Sequence, residues 1–220
     1  MQNFCYNTSC SAGVAHPVER HLAKVEVASS SLVARSIKTV TERWLFFFYL
    51  CKDGDGMIRF AFLDKQEKDR WLPILFDLMY ENMHPIAPSG LSYDAEKRMW
   101  LAEISPALDR KPREIIMVFC EDRLIGYLQY YTRSDLLVVE ELQLHADFHR
   151  TLLFGQMCRF LLQHLPENIS RVEAYADKRN VISMKLMEKL GMRRIDDPAD
   201  AFAHLRGDFI SMKEWFNRIK

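Results

Sequence analysis

The sequence lacks the features that would single out a nucleic acid, a membrane or a metal as its partner. Its 220 residues carry 30 Lys+Arg and 30 Asp+Glu, so the net charge is zero. A nucleic-acid partner favours a basic face, so none is expected. The longest apolar run, Trp44 to Cys51, is far below the roughly 20 residues that a membrane-spanning helix needs. The chain does not open on a charged segment followed by an apolar one, so no signal peptide is read. Five cysteines, Cys5, Cys10, Cys51, Cys120 and Cys158, are odd in number and scattered. Their spacing suits neither a zinc site nor a disulfide framework. Free thiols, no bound metal, no membrane and a cytoplasmic location are the expectation.

What is present is a chain long enough for one domain with a sizeable core. Met57 to Leu63 alternates as a strand does. Asp64, with Glu67 three residues later, offers a capping box for the helix that follows. Pro73 inside that helix implies a later start or a kink. Tyr93 to Leu108 reads as a second helix, Glu114 to Cys120 as a buried strand, and Leu124 to Tyr131 as its hairpin partner with Gly126 near a bulge. Leu137 to Leu144 is a further strand. A polar corner, residues 145–151, leads into apolar residues at helical spacing from Leu153 to Leu165, which Pro166 ends. Val172 to Ala176 is a strand, Asn180 to Leu190 a helix, and Gly191 suits its C′ position. A strand near 203–206 and a short helix around 210–219 close the chain. This order predicts a single α/β domain over residues 57–220, with a mixed, mostly antiparallel sheet flanked by helices.

The stretch from Leu137 to Met192 resembles the GNAT superfamily of N-acetyltransferases in two places. Glu140-Glu141-Leu142-Gln143-Leu144-His145 and the turn after it look like the family's acyl-CoA motif. Val172 to Ala176, Asn180 and Glu188-Lys189-Leu190-Gly191-Met192 look like its second strand, its asparagine and its helix end. The resemblance implies acetyl-CoA as co-substrate and a primary amine, of a small molecule or a protein, as acceptor. It implies cofactor contacts at Leu142, Gln143 and Leu144, at the turn His149, Arg150, Thr151, Leu152, Leu153, Phe154 and Gly155, and at Asn180. A monomer or homodimer is expected.

The turn departs from the family's pattern of Gln or Arg, two residues, Gly, one residue, then Gly or Ala. One register sets His149, Leu152 and Phe154 at those places; a slip of one sets Arg150, Leu153 and Gly155. Neither has both glycines, although backbone must approach phosphate closely there. Asn180 reads as a helix N-cap or as a cap that also touches cofactor. Met187 stands where the family often carries an acidic tyrosine, and methionine has no proton to give. Tyr130, Tyr131 and Tyr175 remain candidates for that role. An amine attacks a thioester only as the free base, and a positioned carboxylate supplies the base. By resemblance Glu140 falls where many members carry it. Glu141 is a weaker candidate, since adjacent strand residues point to opposite faces. The plain reading of either is a solvated carboxylate. The competing function is a degenerate domain of this fold that binds a ligand or partner without turnover.

Residues 1–56 sustain neither a helical nor a strand period, and residues 12–36 resemble a translated bacterial glycine-tRNA gene. His21 to Val25 can be encoded as an anticodon arm around GCC, Ala28 to Leu32 to contain the T-arm loop TTCGAGT, and Ala34 to Ser36 as the acceptor end, with Ala12-Gly13 as its complement. Gly54-Asp55 can encode a purine tract ahead of Met57. The expectation is a non-domain extension over residues 1–56 and translation from Met57. The coding DNA should spell these arms, and the native protein should lack the mass of the extension. Codons that break the stems, or a native mass that includes residues 1–56, would overturn it.

Overall fold

The computed structural model describes residues 49–50, 57–110, 113–149, 152–197 and 199–218. The remainder of the predicted extension over 1–56 therefore lies outside the described residues. Eight strands form one sheet: β1 (Tyr49–Leu50), β2 (Met57–Phe62), β3 (Glu114–Cys120), β4 (Arg123–Arg133), β5 (Leu136–Leu144), β6 (Arg171–Asp177), β7 (Arg193–Arg194) and β8 (Phe202–Asp208). Their order is β1-β2-β3-β4-β5-β6-β8-β7. Every described pairing is antiparallel except β5 with β6. The helices are α1 (Lys68–Met83), α2 (Tyr93–Leu108), α3 (Leu153–His164), α4 (Val181–Lys189) and α5 (Phe209–Arg218). The predicted class, a single α/β domain with a mostly antiparallel sheet, is the one observed.

Alternation decides which helices cover which face. Phe60, Ile116, Leu128, Leu142 and Leu144 pack with α3, α4 and α5 in one core. Ala61, Ile115, Met117 and Tyr127 pack with α1 and α2 in the other. Of the helices, α1 departs most from its sequence reading. It begins at Lys68 and runs through Pro73. Asp64 accepts from the Gln66 amide and so caps a preceding 3-10 turn, Lys65–Glu67. Glu67 is turned outward to the Trp71 indole N–H at 3.2 Å, so the capping box does not form. By contrast α2 spans the residues expected from sequence, and the Ser92 hydroxyl caps it by accepting from the Ala95 amide. Gly191, at φ +84°, ends α4. Its amide reaches the Glu188 carbonyl and that of Met192 reaches Met187, the paired bonds of a Schellman ending. Cys120 is disulfide-bonded, against the expectation of free thiols throughout.

Two irregularities shape the central strands. Between β3 and β4 the register shifts at Val118/Phe119, leaving Ile125 as the extra residue beside Gly126. Between β4 and β5 it shifts at Gln129/Tyr130: Tyr130 faces Val139 and Gln129 faces Glu141, so Glu140 is the extra residue. At Gly126 the strands approach closely. A Cβ there would lie 2.5 Å from Leu144 Cδ2 and 2.8 Å from the Gln143 carbonyl oxygen. The second neighbour is backbone and cannot swing aside. Gly126→Ala should therefore cost about 1–3 kcal/mol, read as a lower denaturation midpoint at unchanged m-value. An alanine variant as stable as the parent would show that β4 and β5 part without cost.

Candidate active site

The site forms where β5 and β6 part. Their parallel pairing runs from Leu136/Arg171 to Val139/Ala174 and stops. The next residue of β5 is the bulged Glu140, and a bulge bends its strand and increases its twist. Beyond it, residues 140–144 diverge from residues 175–177. The roots of the two strands are tied: the Asp135 carboxylate accepts from Arg171 Nη2 at 2.7 Å and from the Ser170 hydroxyl at 2.6 Å. The strands thus open as a wedge from a fixed end.

Under the wedge lies an apolar cleft. It is lined by Val139 to Leu142 of β5, Ala174 of β6, Phe154, Cys158 and Leu161 of α3, Ser183, Leu186, Met187 and Leu190 of α4, and Met212 and Phe216 of α5. The His145 amide donates to the Ile125 carbonyl across β4. In an antiparallel ladder the alternate residues then turn their backbone groups away. The amides and carbonyls of Leu142 and Leu144 accordingly point into the wedge, whereas those of Gln143 pair with β4. The Leu144 carbonyl is already occupied. It accepts from Asn82 Nδ2 at 2.9 Å and from His149 Nε2 at 2.8 Å. Gln143 turns its buried side chain to Asn82 and Glu141.

Both glutamates are buried, and neither is a solvated strand-end carboxylate. They do not point to opposite faces. Glu141 Oε1 accepts from the Tyr127 hydroxyl at 2.6 Å, and Glu140 Oε2 accepts from Gln129 Nε2 at 2.9 Å. Tyr127 and Gln129 lie two apart on β4 and share a face. The bulge supplies the extra residue that brings both carboxylates there. Glu140 has both oxygens engaged, since Oε1 pairs with Arg113 Nη2. Among the described residues Glu141 Oε2 makes no hydrogen bond. Burial pushes the Glu141 carboxyl up from its ordinary 4.5 to about 7. Hydrogen bonds from Tyr127 and Gln143 oppose the rise, the neighbouring Glu140 charge adds to it, and the nearby Trp100 indole N–H opposes it.

The turn into α3 is partly described; Arg150 and Thr151 lie outside the described residues. Leu152 is the N-cap of α3 and offers no side-chain acceptor or donor to it. It is half exposed and does not fill the wedge, whereas Phe154 is buried in the cleft wall 5.9 Å from Phe216. Leu153 is buried in the core beside it. At Gly155 an added Cβ would meet, among the described residues, no atom within 4 Å outside its own helix and chain neighbours. Across the wedge Asn180 caps α4, its Oδ1 accepting from the Ser183 amide at 3.1 Å. Its Nδ2 lies 3.8 Å from the Met83 sulfur. Asn82 and Met83, at the end of α1, thus touch both lips of the wedge.

Sequence reasoning missed Arg113, Gln129, Tyr127, Asn82 and Ser183. All but Ser183 reach the site through the tertiary fold, from β3's approach, β4 and α1, and carry no local pattern. Of the tyrosine candidates, Tyr130 is buried in the core. Tyr175 stacks on His204 at 4.2 Å, and Arg113 lies over the Tyr131 ring at 5.4 Å. Among the described residues no group of His, Cys, Asp or Glu is arranged to hold a metal ion, and no helix is long and apolar enough to cross a membrane.

No protein-family model matches the sequence, and no curated protein matches it significantly. Solved structures do resemble the fold. An acetyltransferase from Thermus thermophilus superposes with a TM-score of 0.54 at 16% identity, over 69% of this chain and 96% of that one. A probable acetyltransferase of the GNAT family from Chromobacterium violaceum gives 0.52 at 17%, over 72% and 89%. The PaiA N-acetyltransferase from Thermoplasma acidophilum, in complex with coenzyme A, gives 0.51 at 12%, over 69% and 98%. At these identities the likeness establishes the fold, which is the GNAT fold.

The buried Glu141 has a consequence for stability. Its folded pKa of about 7 lies above its ordinary 4.5, so the folded state binds the proton more tightly. The stability it contributes is present below about pH 4.5 and is lost as pH rises to about 7. Glu141→Gln removes that dependence. The stability of the variant relative to the parent should rise by on the order of 3 kcal/mol between those limits and level off above. Parallel stability–pH curves for the two proteins would show that Glu141 titrates as an ordinary carboxylate.

Proposed function

We propose that the protein is an acetyl-CoA-dependent N-acetyltransferase that acylates a primary amine. The observation that carries this reading is the parting of β5 and β6 over an apolar cleft, with the buried Glu141 carboxyl of pKa about 7 on β5 beside the parting, turned to the α1–α2 side of the sheet. A thioester-bearing pantetheine arm is narrow and largely apolar, with amides along it. The cleft walls offer it apolar contact, and the Leu142 backbone and the Leu144 amide offer hydrogen bonds in the manner of an added strand. The start of α3, where the Leu152 side chain provides no cap, and the open space beside Gly155 among the described residues suit a pyrophosphate, because a helix N-terminus attracts anions. The capping side chain of Asn180 stands on the opposite lip.

The chain's own part in the chemistry is proton removal. An amine of pKa near 10.4 costs about 4.6 kcal/mol to deprotonate at pH 7. A base with a pKa near the working pH relieves this best and contributes about 10²–10⁴ in rate. Glu141 meets that condition, with one oxygen uncommitted. Glu140, the first candidate from sequence, spends both oxygens on Arg113 and Gln129. We therefore assign the base role to Glu141, acting directly or through water, and a positioning role to Glu140, whose charge helps raise the Glu141 pKa.

The competing reading, a ligand-binding domain without turnover, is favoured by the turn. In either register a leucine, Leu152 or Leu153, stands where the family carries its first glycine, and the His149 ring folds back on the Leu144 carbonyl. Calorimetric titration with acetyl-CoA followed by a thiol-release screen over amines separates the two readings. Binding with turnover supports the enzyme; binding without turnover over a broad amine panel supports the module. With a working acceptor, Glu141→Gln should lower kcat/KM by roughly 10²-fold at neutral pH and leave CoA affinity within about twofold. The parent's kcat/KM should rise with pH up to about 7. Equal rates for parent and Glu141→Gln would return the base role to Glu140 or to no carboxylate.

A further inference from the structure

The cleft contains one hydroxyl that the protein leaves unused. Ser183 lies in the first turn of α4, fully buried, and lines the cleft together with Met187 one turn later. Among the described residues its Oγ has no hydrogen-bond partner. Its amide is taken by the Asn180 side chain, and the Asn180 carbonyl, which a serine hydroxyl in this position often seeks, accepts from Met184 at 3.2 Å. A buried hydroxyl without a partner forfeits its hydration and receives nothing in return. Alanine would fill the same place without that loss.

The other polar residues of the lining are committed or unsuited. The carboxylates of Glu140 and Glu141 take their partners from the side chains of β4 on the α1–α2 side of the sheet. The Tyr175 ring stacks on His204, beyond the face that presents Ala174 and Ala176 to the core. Cys158 is a weak donor buried in α3. Among the described residues, Ser183 is thus the uncommitted hydroxyl on the helical side of an otherwise apolar cleft.

We propose that the Ser183 hydroxyl recognises the pantetheine arm of a CoA thioester by donating a hydrogen bond to one of its amide carbonyl oxygens. This rests on the reading of the cleft as a CoA site and adds to it a specific donor from α4. An acceptor on the ligand supplies the partner that the protein withholds, so the cleft favours an amide-bearing chain over a plain acyl chain of equal width.

Affinity and stability then respond to Ser183→Ala in opposite directions. Titration of the full chain with CoA should show affinity about tenfold weaker in the variant than in the parent, while the melting temperature is unchanged or higher. Equal CoA affinities in a parent that binds CoA would remove Ser183 from recognition and leave the proposed function standing. Weaker binding accompanied by a lower melting temperature would assign the hydroxyl to the fold and overturn the proposal. A parent that does not bind CoA would overturn both.

Discussion

Everything at the site depends on one extra residue in β5. Glu140 has no counterpart on β4, and the last parallel pair between β5 and β6 stands immediately before it. A regular ladder would continue to the end of both strands and leave no room between them. The bulge bends β5 where the pairing stops, so the wedge opens at a defined residue. The same residue resets the alternation. It brings Glu140 and Glu141 to one face, while Leu142 and Leu144 still return to the apolar core on the other. Backbone geometry, cleft and carboxylates thus follow from one local irregularity. The tie between Asp135 and Arg171 at the strand roots keeps the opening at one end.

What the sequence made legible is what local patterning controls. Alternation marked Met57 to Leu63, a continuous apolar run marked Glu114 to Cys120, and helical spacing marked Leu153 to Leu165. Gly191 marked a helix end because a left-handed residue acts on the few residues beside it. Asp64 and Glu67 had the spacing of a capping box and did not form one. The Trp71 indole competes for Glu67, and Asp64 finds a nearer amide at Gln66. The bulge at Glu140 was invisible for a different reason. Two adjacent glutamates satisfy an alternating pattern in either register, and only the partner strand reveals which residue is surplus. Arg113, Gln129 and Tyr127 were beyond reach for the same cause, since their roles exist only once β4 lies beside β5.

The turn after β5 shows a second kind of illegibility. Sequence spacing offered two registers for a phosphate-binding loop: the ungapped one has neither glycine, and the slip of one restores Gly155 but needs an extra residue in the corner. In the structure the two leucines differ in kind: Leu152 is half exposed at the helix start and Leu153 is buried in the core. His149 does not serve as an outward cation. It turns inward as a donor to the last carbonyl of β5, beside Asn82 from α1. That carbonyl holds the strand end, the turn and the first helix at one point.

The two glutamates illustrate how equal residues acquire unequal chemistry from their neighbours. Arg113 and Gln129 supply donors to both oxygens of Glu140, so its charge is compensated where it stands and serves to order the bulge. Glu141 is surrounded by weaker, neutral donors from Tyr127 and Gln143, and it sits deeper in the sheet's helical cover. Its charged form therefore bears the cost of desolvation without a cation beside it, and the adjacent Glu140 carboxylate adds repulsion. A carboxyl held in that balance changes protonation near neutrality, where a strand-end glutamate in water does not. The argument runs from the bulge outward. An extra residue sets two acids side by side, Arg113 is placed to neutralise only one of them, and the other is left to exchange its proton near neutrality.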